Sequence, residues 1–533
     1  MKPQKSTKDS RDTTARVIKI VLSILCLFVA DTGAQESQSR GRQIYMQGTS
    51  RSGKDVLAYI GDESLEVPAS TITCAGCHGF DGRGKSEGGI NPSNVTWEFL
   101  TKPYGLKHAS GRQHPPYTER GLELAITRGT DPGGNKLLPV MPRYAMSRED
   151  LADLVAYLQL LGKEREPGVS ENTIVIGTMV EATGPLSELG RGVTAVTTAY
   201  FAELNSQGGI FGRRLELRIV ETANAASDKR AKLESALKEQ QMFAMSAALI
   251  AGAEKELVPL FSQHETPLIG PFSLYGQSAF PANRQIFYLL SGIPNQARSL
   301  INFIGKKPEF KNFKLAVISP QLEVYGEVIE AARDQTNKLG SSPPLVIQYA
   351  PGRFDVTDAL KQARQASVDV VILMGTTDEA MSFMSEAEKI HWFPVVLSPA
   401  GTIGAAVFTA PPGFDGKVFF SFATAPVDHT AEAIKEFRAL AEKYKLPSTH
   451  AASQVAAYAA AKVLVEAIRR AGKDVTREKL IQVLEGFHQY PTGLTPAVTY
   501  GPNRRTGSMG AYIITVDLKE KKFVPASEWI ESN

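Results

Sequence analysis

The chain has 533 residues, 43% hydrophobic and 22% charged, the composition of a soluble protein with two or three globular domains. Its 59 Lys/Arg against 56 Asp/Glu leave a formal charge of +3, and that near-balance argues against nucleic acid or an anionic membrane surface as the partner.

Residues 1–19 carry six Lys/Arg, from Lys2 to Lys19, and a mostly apolar run of eleven residues follows, Ile20 to Ala30. Such a run is short for a membrane span. With the small-residue site Thr32-Gly33-Ala34 behind it, it reads as a signal peptide cleaved near Ala34, and so predicts export to the periplasm. An uncleaved anchor is the alternative. Cys26 lies inside the run and is followed by Leu27, where a lipoprotein cysteine needs a small residue. Cleavage removes six Lys/Arg and three Asp/Glu and leaves 53 of each.

Residues from Gly41 to about Gly53 read as a short helix and turn. The chain's most specific motif follows: Cys74-Ala75-Gly76-Cys77-His78, the C-x-x-C-H attachment signal of a c-type haem. Two thiols at this spacing match the two vinyl groups of the porphyrin, and the next histidine can reach the iron as an axial ligand. A zinc half-site or a thioredoxin-like pair are the alternatives. The first lacks a second cysteine pair and the second lacks a βαβ context. With both mature cysteines used, no disulfide is expected. The stretch Gly79-Phe80-Asp81-Gly82-Arg83-Gly84 lets the backbone pass close to a porphyrin edge. A carbonyl near Pro92 could accept the His78 Nδ1 proton; an ordinary turn is the other reading of that proline.

Val140-Met141-Pro142-Arg143-Tyr144 precedes Ser147-Arg148-Glu149-Asp150, a capping-box-like helix start, and Leu151, Leu154, Val155, Leu158 and Leu161 then recur at helical spacing. Met141, just ahead of this helix, is the expected second axial ligand, preferred over Met146, His108 and His114. The two histidines lie in a polar loop and read as solvent-exposed. Residues 40–162 as a whole resemble a class I cytochrome c, on the strength of the N-terminal helix, Cys74–His78, Met141-Pro142 and the closing helix with Ala156-Tyr157-Leu158. The resemblance implies an all-α fold with one covalent haem c that carries one electron at a time.

Residues 163–171 form a polar tether of nine residues, at most about 30 Å long. Beyond it strands and helices alternate. Strands are expected at 174–177, 215–220, 248–251, 315–319, 345–349, 368–374 and 394–397, with helices at about 190–205 and 229–240. This pattern implies parallel sheets covered on both faces, and its length implies two lobes. Residues 172 to about 530 resemble the type I periplasmic solute-binding proteins of the branched-chain amino-acid transporter family. The carriers are Ile176-Gly177, Thr183-Gly184-Pro185, Asn205-Ser206-Gln207-Gly208-Gly209-Ile210-Phe211-Gly212-Arg213, Pro267-Leu268-Ile269-Gly270-Pro271 and Tyr325-Gly326. The resemblance implies two doubly wound α/β lobes. These are 172–292 with 426–500, and 293–421 with 501–533, joined by crossings near Gly292, Phe422–Ala425 and Tyr500.

Ligands of open α/β sheets bind beyond the carboxyl ends of the strands. Those ends put forward Glu254, Phe272, Ser273, Tyr325, Thr376 and Ala400 as ligand contacts. Amino-acid binders hold the ligand ammonium with a carboxylate where Ala400 falls here, so a standard amino acid is disfavoured. A less polar ligand carrying a carboxylate or hydroxyl is expected, with Glu254 as a possible charge and Ser273 as a carboxylate donor or a turn cap. No Ser-His-Asp set or phosphate loop is evident, and His264, His391, His429, His450 and His488 are scattered, so no enzyme is predicted. The leading expectation is an electron-transfer protein whose second domain binds a small organic ligand and whose partner is a periplasmic dehydrogenase or another cytochrome. The alternative is a transporter receptor that docks on an ABC permease and has an accessory haem. A haem enzyme such as a peroxidase is weakest, because two protein ligands fill both axial positions.

Overall fold

The computed structural model describes residues 36–61, 64–79, 81–84, 92–108, 111–162, 166–239, 241–276 and 282–532. The signal-peptide and cleavage-site expectations, Phe80, and tether residues 163–165 lie outside them. The chain divides into two compact units, Met1–Arg165 and Glu166–Asn533.

In the first unit residues 36–47 form helix α1. Strands β1 (Leu57–Ile60) and β2 (Leu65–Pro68), the one-turn helix α2 (Cys74–His78) and α3 (Trp97–Leu100) follow. Two-residue strands β3 (Leu106–Lys107) and β4 (Gln113–His114) pair with each other. Then come α4 (Glu119–Arg128), β5 (Arg143–Ala145) and α5 (Arg148–Leu160). The helical frame also carries a three-stranded antiparallel sheet, β2-β1-β5. Ser147 caps α5 by accepting the Asp150 N–H at 3.0 Å, and Leu154, Val155, Leu158 and Leu161 face inward beside Ile44, Tyr45 and Leu122. Asp153 fixes α1 against α5, accepting from Arg40 at 2.7 Å and from Ser37.

The second unit opens with β6 (Thr173–Glu181), α6 (Ser187–Ser206), β7 (Arg214–Thr222), α7 (Ala226–Glu239), β8 (Ala244–Ser246), α8 (Glu254–Gln263), β9 (Leu268–Ile269) and β10 (Ile286–Phe287). These strands form one parallel sheet, in the order β10-β9-β8-β6-β7. Strand β6 is buried along most of its length, as a central parallel strand must be. The expected strand at 248–251 falls instead at 244–246. Met242–Ile250 is apolar nearly throughout, so hydrophobicity alone does not mark where pairing stops.

The second lobe holds α9 (Ile293–Gly305), β11 (Leu315–Pro320), α10 (Gly326–Lys338), β12 (Leu345–Tyr349), α11 (Val356–Gln365), β13 (Val370–Leu373), α12 (Thr377–Lys389), β14 (Val395–Ser398) and β15 (Val418–Phe422). Helices α13 (Ala431–Tyr444), α14 (Ala451–Ala471) and α15 (Arg477–Glu485) return to the first sheet, and β16 (Gly510–Asp517) and β17 (Lys522–Glu531) rejoin the second. The second sheet runs β12-β11-β13-β14-β15-β16-β17, parallel through β15 and antiparallel for the last two strands. Helix α14 is long and apolar enough to cross a membrane, but 67% of its most apolar window is buried, within the first lobe's core.

The chain therefore passes between the sheets three times. The first and third passages are tied where the Ser291 hydroxyl donates to the Gly510 carbonyl at 2.6 Å. The second and third are tied where the Tyr512 hydroxyl donates to Asp428. Both sheets thus present the carboxyl ends of their parallel strands to the cleft beside the crossings.

Candidate functional site

In the first unit Thr73 opens α2, its hydroxyl accepting the Gly76 N–H at 3.1 Å. Tyrosines hold the backbone on either side: Tyr144 donates to the Ile72 carbonyl at 2.8 Å and Tyr45 to the Gly79 carbonyl at 2.7 Å. The Cys74 and Cys77 thiols are free and half-buried, and burial pushes the Cys74 thiol up to about 11, with a bond from Tyr144 opposing it. His78 Nδ1 donates to the Ser93 carbonyl at 2.8 Å, next to the Pro92 singled out in the sequence. Burial lowers the His78 pKa, against the opposing effect of that bond. The imidazole is therefore neutral at pH 7 and its Nε2 lone pair is left for a metal.

Gly84 makes this geometry possible. Its N–H donates to the His78 carbonyl at 2.7 Å. Its φ is +89°, and a Cβ there would lie 2.2 Å from the Pro92 carbonyl oxygen. Without a side chain at Gly84 the Pro92-Ser93 backbone can close on His78. The donor set fits haem c: paired thiols one helical turn apart, and an oriented neutral imidazole. Among the described residues no group of three or more His, Cys, Asp or Glu is placed to hold a metal ion.

Met141 is half-buried and lines a cavity of about 380 Å³ with Tyr59, Leu137, Leu138 and Arg143. The Arg143 guanidinium donates to the carbonyls of Met141 and Leu137 and clamps this loop. Met146 packs instead against the unit's core. His108 and His114 correct the expectation of solvent exposure. His114 is buried, 4.9 Å edge-on to Tyr117, and its Nε2 lies 3.0 Å from that of His108. Arg112 reaches His108 Nε2 at 3.0 Å and pairs with the buried Asp131 at 2.6 Å. Asp131 draws Arg112 inward, and the histidines follow.

In the second unit Glu254, the first residue of α8, accepts two hydrogen bonds on Oε1, from the Ser273 hydroxyl at 2.9 Å and the Leu274 N–H at 2.8 Å. Phe272, one residue earlier, packs against the first lobe's core. Tyr275 reaches across to donate its hydroxyl to the Val324 carbonyl, and Lys255 meets Glu323 at 2.7 Å. Tyr325 is half-buried, and its pKa is raised by burial and then by Glu379. Tyr349 donates to Glu379 at 2.8 Å, and Glu379 completes a capping box with Thr376 at the start of α12. Ala400 is exposed, with φ of 56°, and its N–H donates to Ser421 at 3.3 Å. The structure thus joins Glu254 to Ser273 directly and links Tyr349 to Thr376 through Glu379.

A family model described as periplasmic binding protein matches residues 173–522. The chain belongs to this family. A cytochrome c model matches residues 69–162, so a cytochrome c domain is fused to the periplasmic binding protein. No curated protein matches the chain. Among solved structures, a branched-chain amino-acid ABC transporter protein from Thermus thermophilus with bound valine is 21% identical, with a TM-score of 0.54 over 68% of this chain and 97% of that one. A fatty acid ABC transporter substrate-binding protein from Thermomonospora curvata is 20% identical, with a TM-score of 0.55 over 69% and 95%. A leucine-binding protein from Thermotoga maritima is 17% identical, with a TM-score of 0.54 over 67% and 99%. These likenesses carry the periplasmic-binding-protein fold. Tyr275, Tyr349 and Glu379 escaped the sequence reading because only the folded cleft brings them to the expected residues.

Proposed function

We propose that this is an exported periplasmic electron carrier with one haem c in a domain at 40–162, joined by a tether at 163–171 to a ligand-binding domain at 172–533. In this reading Cys74 and Cys77 hold the group covalently, His78 Nε2 and the Met141 thioether are its axial ligands, and the Ser93 carbonyl fixes the imidazole. When bound, a c-type haem supplies one-electron exchange at its iron. In this reading electrons pass to or from a dehydrogenase or another cytochrome. The cleft around Glu254, Ser273, Tyr325, Thr376 and Ala400 takes a small organic ligand, and its occupancy biases the redox pathway. The observation that carries the reading is the His78–Ser93 hydrogen bond beside two free thiols, on a chain whose larger part is a ligand-binding fold.

The test is a redox titration of the haem-loaded protein with and without a ligand that raises its melting temperature. A tenfold difference in ligand affinity between redox states appears as a shift of about 59 mV. An unchanged potential with a bound ligand refutes the coupling. It favours the second reading, a receptor for an ABC permease, which the transporter proteins among the solved structures support.

A further inference from the structure

Two donors beyond a strand end of the first lobe are the Ser273 hydroxyl and the Leu274 N–H. Both converge on one oxygen of Glu254. The Ser273 oxygen itself accepts the Tyr275 N–H at 3.1 Å, so its single proton is directed at Glu254. The pair is the arrangement a carboxylate needs, two donors meeting one anionic oxygen, and the chain fills it with its own carboxylate. The second oxygen, Oε2, accepts no hydrogen bond from the described residues.

The electrostatics point the same way. Tyr275 has its pKa raised first by burial, then by Glu254 and Glu327. Tyr325 and Tyr349 are raised first by burial and then by Glu379. Lys255, at the mouth, is paired with Glu323. A ligand anion would meet carboxylates here and no unused donor at Ser273 or Leu274. Across the cleft, Ala400 offers no carboxylate of its own.

We infer that Glu254 occupies the anion-binding corner of the cleft from within, so that the ligand is a small molecule without a carboxylate, an alcohol or an amine, that donates a hydrogen bond to Glu254 Oε2. This rests on the cleft being the ligand site, the reading proposed above. An α-amino acid loses the Ser273 and Leu274 donors for its carboxylate to Glu254, and Ala400 offers its ammonium no carboxylate across the cleft.

The test titrates the full-length, haem-loaded protein calorimetrically with isobutanol, isobutylamine, isovalerate and valine, which share a branched apolar group and differ in the polar one. The parent should bind isobutanol or isobutylamine and reject the two carboxylates; which of the first two binds tighter tells a neutral from a cationic ligand. Glu254→Ala frees Ser273 and Leu274, and should raise isovalerate affinity by about tenfold or more, the worth of one charge-assisted hydrogen bond. Glu254→Gln keeps an acceptor on both donors but removes the charge and turns the second position into an amide donor, so it should weaken isobutylamine. Isovalerate or valine binding to the parent as tightly as to Glu254→Ala overturns the assignment. So does a parent that prefers isovalerate to isobutylamine, a comparison that needs no variant. Binding of none of the four by parent or variants overturns the cleft reading as well. A ligand that binds as expected but leaves the haem potential unchanged refutes only the redox coupling.

Discussion

Glu181 ends β6, and Lys229 lies in the first turn of α7. Their side chains are 0% and 3% exposed and meet at 2.8 Å. At an effective dielectric near 20 the attraction is about 6 kcal/mol, and it works against a desolvation cost of several kcal/mol per ion, so the intact pair adds little net stability. Either charge alone is another matter. Lys229→Met leaves a carboxylate buried without its cation and should cost about 3–5 kcal/mol, whereas Lys229→Met with Glu181→Met should lie within about 2 kcal/mol of the parent. Urea unfolding followed by the fluorescence of Trp392 and Trp529, both in the second unit, measures this, with haem absorbance reporting the first unit separately. A single variant within about 1 kcal/mol of the parent, or a double variant as unstable as the single, would refute the reasoning. Lys229 Nζ also lies 3.5 Å from the Ala251 carbonyl, three residues before Glu254, so the single variant should weaken ligand binding too.

Three further outcomes are expected. Gly84→Ala must place a methyl against the Pro92 carbonyl at positive φ. It should loosen Ser93 from His78 and reduce the yield of haem-loaded protein, measured as the haem-to-protein absorbance ratio. Met141→Ala should convert a low-spin haem spectrum to a high-spin one, while Met146→Leu should leave the spectrum unchanged. Asp131 and Asp153 should govern acid unfolding of the first unit. Burial would raise both carboxyls, but the bonds from Asn135 and Arg112 to Asp131, and from Arg40 and Ser37 to Asp153, outweigh it and hold both below the ordinary 3.8. With depressed folded values, their stabilisation is complete above about pH 4 and is lost as pH falls through those values. Haem absorbance should therefore hold down to about pH 4 and collapse below it, and Arg112→Met should move the collapse upward.

What the sequence determined by itself is whatever adjacent residues decide. Cys74, Cys77 and His78 lie within five positions, so one helical turn sets their geometry. The Ser147 cap and the spacing of Leu154, Val155 and Leu158 make α5 for equally local reasons. Alternating strands and helices expressed the two-lobed fold, because parallel strands buried on both faces leave apolar runs such as Ile174–Val180. Tertiary structure alone decided the rest. His108 and His114 sit in a polar stretch, yet beside the buried Asp131–Arg112 pair His114 is buried and His108 half-buried. Glu254 and Ser273 were legible as residues beyond strand ends. That the serine hydroxyl donates to this carboxylate depends on a contact across 19 positions, formed only when β8 and β9 pair and bring the loops after them together. Charge pairing of this kind acts through space between segments that sequence periodicity treats as independent.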